Sequence, residues 1–117
     1  MDIFDPTQLD LTAAIRGASM RQTALSQNIA NANVPGYRRK DVDFHSALQQ
    51  AMGDGQNPDA LQFGVQEDPS APMRADGNSV DMDAESAKLA ENGLEYESLV
   101  STARARIDII EAAMGRA

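Results

Sequence analysis

Apolar residues recur near both ends of this chain at alternating steps of four and three, and that spacing constrains the fold more than any other feature. Near the N-terminus the series is Leu11, Ile15, Ala18, Gln22, Leu25, Ile29 and Ala32, broken only by Gln22. Near the C-terminus it is Met82, Leu89, Tyr96, Val100, Ala103, Ile107, Ile110 and Met114, with Ser86 and Gly93 as weak positions. A period of about 3.5 residues held this long predicts two long helices paired along a seam as a coiled-coil-like hairpin. Asp5-Pro6 offers an N-cap and a first helical residue, with Gln8 placed as a capping-box partner. Asn33-Val34-Pro35-Gly36 stops the first helix, because proline disfavours helix in the residue before it and glycine permits a left-handed turn. The N-terminal helix is therefore expected over residues 6–33, a length of about 42 Å. The C-terminal helix is expected over residues 81–115, opening at Asp81 or Asp83.

Between these lie a Pro-Gly turn and a short helix within residues 34–52, where Phe44, Leu48 and Met52 fall at i, i+4 and i+8 behind Asp41 and Asp43. Residues 53–80 contain Pro58, Pro69 and Pro72 among several glycines and show no sustained period, which predicts a long mobile loop. Leu61–Val65 alternates as a strand does, and Asp76-Gly77 is a turn signal, so this loop has room for a small hairpin. The fold class is all-α, with 117 residues forming one domain.

Composition narrows the chemistry. Only five residues are aromatic and alanine supplies much of the apolar content, so the core is thin. Cysteine is absent and His45 is the single histidine, which removes thiol nucleophiles, Cys-ligated zinc and the usual imidazole relay. No converging pair of carboxylates or hydroxyls takes their place, so the sequence argues against an enzyme, a cofactor or a small-molecule substrate. A formal net charge of -8 disfavours nucleic acid. The surplus lies in the second half: residues 1–52 carry five acids and five bases, residues 53–117 thirteen acids and five bases. Met1–Asp5 has neither a basic nor an apolar leader region, and no apolar run approaches the roughly 18 residues of a transmembrane segment. If the chain leaves the cytoplasm, the general secretory route is not expected to carry it.

Both long helices are apolar on a second face. Leu9, Ala13, Met20 and Ala24 gather away from the first stripe of the N-terminal helix, and Leu94 and Ile109 lie opposite that of the C-terminal one. A two-helix hairpin covers one face of each, so the remaining faces are expected to need other molecules. Head-to-tail repetition of such contacts gives a helical polymer when the rotation does not close.

Ser26-Gln27-Asn28-Ile29-Ala30-Asn31-Ala32-Asn33-Val34-Pro35-Gly36-Tyr37 resembles the signature of bacterial flagellar axial proteins, the family of rod, hook and filament-junction subunits. Within it, Asn28, Ile29, Ala30, Asn31, Ala32, Asn33, Pro35, Gly36 and Tyr37 form the motif turn. Family members usually carry threonine where this chain has Val34. Asp41-Val42-Asp43-Phe44, and Val80-Asp81-Met82-Asp83 with Glu85, Ala90, Asn92, Leu94 and Tyr96, are similar to the short proximal-rod members. The resemblance implies a structural subunit of the proximal rod, polymerising into the drive shaft for motility. It implies as partners further copies of the chain, other flagellar rod proteins, the adaptor joining the rod to the inner-membrane ring, and the flagellar type III export gate. It also implies a periplasmic position in the basal body, reached by export without a cleavable signal peptide. Phe44-His45-Ser46-Ala47-Leu48 resembles the gate-recognition segment of early export substrates, with Phe44 and Leu48 as anchors; packing of both on the hairpin is the other reading of the same residues. A helical adaptor or chaperone of a type III secretion system is the alternative function.

Three charged groups receive structural readings. Arg38-Arg39-Lys40 is expected to be a solvated turn or to pair between subunits. Asp81, Asp83 and Glu85 are expected to serve as helix-start charge, since i and i+2 diverge on a helix. His45 is read as a partly exposed helix residue and Tyr96 as core.

Overall fold

The computed structural model describes residues 5–115; the leader reading of Met1–Asp5 falls almost wholly on residues outside that range. Helix α1 runs over Pro6–Ala30. Asp5 caps it by accepting from the Gln8 backbone N–H at 2.8 Å, and Pro6 takes the first turn, where a missing N–H leaves nothing unsatisfied. The helix stops at Ala30 rather than Asn33. The Asn31 side chain bonds back to the Gln27 carbonyl at 2.8 Å, and turns occupy the residues that follow. A short amide side chain competes for carbonyls that another helical turn would need.

Strand β1, Lys40–Asp41, follows the turn and pairs antiparallel with β2, Gln66–Glu67, in the register Lys40 to Glu67 and Asp41 to Gln66. The strand pairing of the middle segment is thus made with the residues after the signature turn, and Leu61–Val65 contributes no strand. Asp76-Gly77 does turn: the Gly77 N–H donates to the Arg74 carbonyl and the Arg74 N–H to the Asn78 carbonyl. Helix α2, Phe44–Gly53, opens on Asp43, whose side chain accepts from the Ser46 N–H. Asp41 lies in β1, outside this helix. A single 3-10 turn spans Pro58–Ala60. Helix α3, Met82–Ala113, opens on Asp81, which accepts from the backbone of Asp83 and Ala84.

α1 and α3 lie antiparallel in a body of 62 × 30 × 14 Å. Ala18, Leu25, Ala103 and Ile110 are buried; Leu11, Ile15, Ile29, Leu89, Val100 and Ile107 are half-buried. Tyr96 and Met114, assigned to the packing stripe by their spacing, are exposed instead. The reason is a rotation of the seam. Ala103 and Ile110 keep the expected line in the second half of α3, but in the first half the deepest positions are the polar Glu85 and Asn92, one residue before the weak stripe positions Ser86 and Gly93, which turns Tyr96 outward.

The second face of α1 is covered by the chain itself, against the expectation that it would need another molecule. Ala13, Ala14, Ala18 and Ala24 form a core with Val42, Phe44 and Phe63. Phe44 lies against Gly17, and Phe63 meets its ring edge-on at 6.3 Å between centroids. Arg16 straps the middle segment down, donating to the Leu61 carbonyl at 2.6 Å while its guanidinium stands 5.4 Å over the Phe63 ring. The second face of α3 has no such cover: Leu94 is 67% and Ile109 68% exposed.

Candidate functional site at the signature turn

The motif turn leaves α1 with several free carbonyls, and one residue collects them. The Asn78 side-chain amide, fully buried, donates to the carbonyls of Asn31 at 3.0 Å, Ala32 at 3.1 Å and Val34 at 2.8 Å. Its own oxygen accepts from the Val80 N–H at 2.7 Å, two residues before α3 begins. Arg74 adds bonds to the Ala32 and Val80 carbonyls. Gly36, at φ 77°, donates to the Asp76 carbonyl at 2.9 Å, and a Cβ on Gly77, at φ 81°, would stand 3.4 Å from the Gly36 Cα. Two glycines back to back therefore let the signature turn and the Asp76-Gly77 turn meet. Val34 exposes its side chain and serves the turn through its carbonyl, which also accepts from the Tyr37 N–H. Ala32 is buried, Asn31 and Tyr37 are half-buried, and Ala30, Asn33, Pro35 and Gly36 are exposed.

Behind the turn lies a buried polar node. Asn28 is inaccessible to solvent; its amide donates to the Lys40 carbonyl at 2.7 Å and to Glu85 Oε2 at 3.1 Å. Its oxygen accepts from the Lys40 N–H at 3.0 Å and the Tyr37 hydroxyl at 3.1 Å. Glu85 also takes Arg39 Nε, and the same guanidinium reaches Asp68 at 2.7 Å and Asp41 at 3.1 Å. Asp41 receives Arg21 at 2.8 Å. The Arg39 N–H donates to Ser79 Oγ at 2.7 Å. One cation thus ties β1, the residue after β2 and the start of α3 together, and Asn28 brings in the end of α1 through Glu85.

Arg39 and Glu85 correct the sequence reading. Arg39 is only 4% exposed and pairs within its own chain; Glu85 is buried and serves the node as well as the helix start. Asp81 and Asp83 remain exposed at the start of α3. His45 is exposed, stacks on Phe44 and bonds Glu95 through Nε2.

The electrostatics follow from this packing. Burial works against the Arg39 charge, but hydrogen bonds to Glu85 and Asp41 outweigh it and raise its pKa above the ordinary guanidinium value. Burial likewise pulls Asp41 upward, yet the bonds from Arg21, the Val42 N–H and Arg39 hold it below the usual carboxylate range. Burial and the nearby Glu85 raise Tyr37. A buried ion pair supplies geometric specificity more than stability, and removing one partner is far costlier than never having built the pair. The node is suited to fixing the angle and registration of segments. Among the described residues no cluster of ligating side chains fits a metal ion.

Residues 11–38, the latter four-fifths of α1 with the signature turn, match the family model described as flagella basal body rod protein. The chain is 37% identical to the flagellar basal body rod protein FlgB of Yersinia ruckeri, covering 73% of this chain and 76% of that one. Against FlgB of Escherichia coli strain K12 the identity is 33%, covering 80% and 82%. Against FlgB of Cereibacter sphaeroides it is 34%, covering 74% and 77%.

The chain belongs to the FlgB family of flagellar basal body rod proteins.

As an FlgB-family chain it is a structural component of the flagellar basal body, and rod proteins of this kind serve motility. Among its described residues no helix is long and apolar enough to cross a membrane. The matched segment ends one residue before Arg39, so it holds Asn28 and Tyr37 of the node while Arg39 and Glu85 lie past it. Arg39, Asn78, Glu85 and Asn92 escaped a reading based on apolar periodicity. The signal that could have found two of them is the step of seven through Glu85, Asn92, Leu99 and Arg106, opposite the polar breaks Gln8 and Gln22 in α1.

Proposed function

We propose that this FlgB-family chain polymerises, with further copies of itself and with other rod proteins, into the proximal rod that serves as the flagellar drive shaft. The observation that carries the reading is the uncovered face of α3, where Leu94 and Ile109 stand in solvent while the corresponding face of α1 is sealed by α2 and the middle segment. An apolar stripe along a 32-residue helix presents a long, narrow contact, the kind that axial packing of neighbours fills. The buried node supports the same role. A shaft that carries torque needs segments held at one angle, and the signature residues Asn28, Asn31, Ala32 and Tyr37 are bonded into that node or the turn beside it.

In this proposal the rod lies in the periplasm, one of its ends meets the adaptor of the inner-membrane ring, and the subunit arrives through the type III export gate without a cleavable signal peptide. Phe44 and Leu48 are the residues assigned to the gate. Phe44 is buried against Gly17 and Leu48 packs on the same core, so the segment presents both anchors only before the chain folds. A thin core is compatible with passage in that state.

Leu94→Asp and Ile109→Asp test polymerisation directly. Each variant replaces the resident protein in a motile strain. Helix content and thermal midpoint of the purified chain should match the parent, because both positions face solvent, while spreading in soft agar should be lost. Full motility with both substitutions combined would overturn the proposal.

A further inference from the structure

We infer that the register of the α1–α3 hairpin is specified by polar couples in its seam, each with one buried member, Asn92 or Gln8, and that Gln22 and Asn92 are the deciding pair. The Asn92 amide donates to the Ala18 carbonyl at 2.8 Å and to Gln22 Oε1 at 2.8 Å, and Asn92 is wholly buried. Toward the open end of the hairpin, Arg106 Nε donates to Gln8 Oε1 at 3.2 Å. Two heptads separate Gln8 from Gln22 on α1, and two heptads separate Asn92 from Arg106 on α3. The two couples therefore lie on a single antiparallel register, and Ile15 falls level with Leu99 between them.

Apolar side chains by themselves leave this register open. Positions one heptad apart in α1 carry Leu11, Ala18 and Leu25, while Ile15 and Ile29 stand two heptads apart, so sliding α3 by seven residues keeps apolar against apolar along most of the seam. The polar couples forbid it. A slide in one sense sets Asn92 against Ile29 and Gln22 against Leu99; the other sets Asn92 against Ile15 and Gln8 against Leu99. Either slide leaves buried amides without partners, which is a penalty on the wrong pairing, not a reward for the right one. The couple is kept at a cost even in the native register, since Asn92 Oδ1 is buried with no hydrogen-bond donor among the described residues. A residue chosen for stability alone would be apolar there.

The test moves the couple by one heptad without changing composition. Asn92→Leu with Leu99→Asn, on α3 only, sets the relocated amide level with Ile15 and leaves Gln22 facing leucine; the thermal midpoint should fall by about 10 °C. Adding Gln22→Ile with Ile15→Gln on α1 restores a facing couple at the new level, and the four-substitution chain should recover at least half of that loss. Register is read separately. The chain has no cysteine, so Thr12→Cys and Ser101→Cys, both at exposed positions, take nitroxide labels for distance measurement in the parent and the compensated chain. Both should give one narrow distance, the same in each, whereas a one-heptad slide offsets the two labels by about 10 Å along the helix axis and lengthens the distance between them. Recovery with an unchanged distance supports the inference. A compensated chain no more stable than the one-sided variant, a compensated chain that fails to fold, or a one-sided variant as stable as the parent would each overturn it.

Discussion

Gly17 and Phe44 fit together only because one of them lacks a side chain: a Cβ built on Gly17 would lie 2.5 Å from Phe44 Cβ and 2.6 Å from its Cγ. This contact seats α2 on the second face of α1 and closes the small core that Phe63 completes.

Gly17→Ala sets two effects against each other. Alanine favours the helix by about 1 kcal/mol, while forcing atoms into a filled site costs about 1–3 kcal/mol. Phe44 Cβ is fixed by its own backbone and cannot swing aside, so the clash lies at the upper end of that range and a net loss of up to about 2 kcal/mol is expected. Urea unfolding reads it as a lower midpoint, and a raised midpoint would show that α2 is not seated there. The variant also separates folding from export. It loosens the same packing as Phe44→Ala but keeps the side chains proposed for the gate, so secretion should survive Gly17→Ala and fail with Phe44→Ala.

Glu85→Gln removes the buried negative charge facing Arg39 and sets an amide N–H against either Arg39 or the Asn28 amide, so that the guanidinium keeps carboxylates only at Asp68 and Asp41 on the rim of the node. Breaking a buried ion pair by removing one partner costs about 3–5 kcal/mol, and the remaining acceptors place this case at the lower end. Arg39→Lys should also destabilise, because an ammonium cannot span three carboxylates as the planar guanidinium fork does. Equilibrium unfolding of both variants checks the point; a lysine variant as stable as the parent would contradict the role given to the fork.

Asp41 makes stability depend on pH in the acid range. Its folded pKa is depressed below the ordinary value, so the unfolded chain takes up the proton first as pH falls. The contribution is fully present above about pH 4 and is lost as pH drops through the folded value. Tyr37 acts with the opposite sense at the other extreme. Its folded pKa is raised, so its contribution is present below about pH 10 and disappears as pH rises through the folded value. Thermal midpoints measured across pH for Asp41→Asn and Tyr37→Phe should show a flatter acid limb and a flatter alkaline limb respectively, each against the parent.

Asn78→Ala frees the carbonyls of Asn31, Ala32 and Val34 together. Each net hydrogen bond contributes about 1 kcal/mol, so a loss of about 2–3 kcal/mol is expected. Amide exchange should accelerate first in residues 31–37 and at the start of α3, ahead of the middle of the hairpin. Uniform acceleration along the whole chain would mean that Asn78 does not hold the turn in particular.

Much of the fold is legible from local rules. Asp5 and Asp81 cap helices because a carboxylate beside free backbone N–H groups satisfies them wherever the chain then goes. Pro35-Gly36 and Asp76-Gly77 turn because their backbone preferences are their own. The stripes identify two long helices that pair, and the wheel sets Leu94 and Ile109 off the seam.

The contacts between distant segments were settled at the level of tertiary structure. Arg39 and Glu85 are both charged residues in polar stretches, and by themselves each reads as surface; only when the signature turn and the start of α3 close on one another does burial become tolerable, because each then satisfies the other. Apolar periodicity puts Tyr96 in the core and passes over Asn92, since it carries no weight for an amide whose partner lies 70 residues away. Likewise Gly17 reads as a weak helix residue until Phe44 arrives in the space it leaves. Sequence determined the elements, their caps and their turns, all of which depend on neighbours within one helical turn. The tertiary structure decided which polar groups could be buried and which apolar face stayed open, because desolvation is settled by what comes to lie opposite a residue in space.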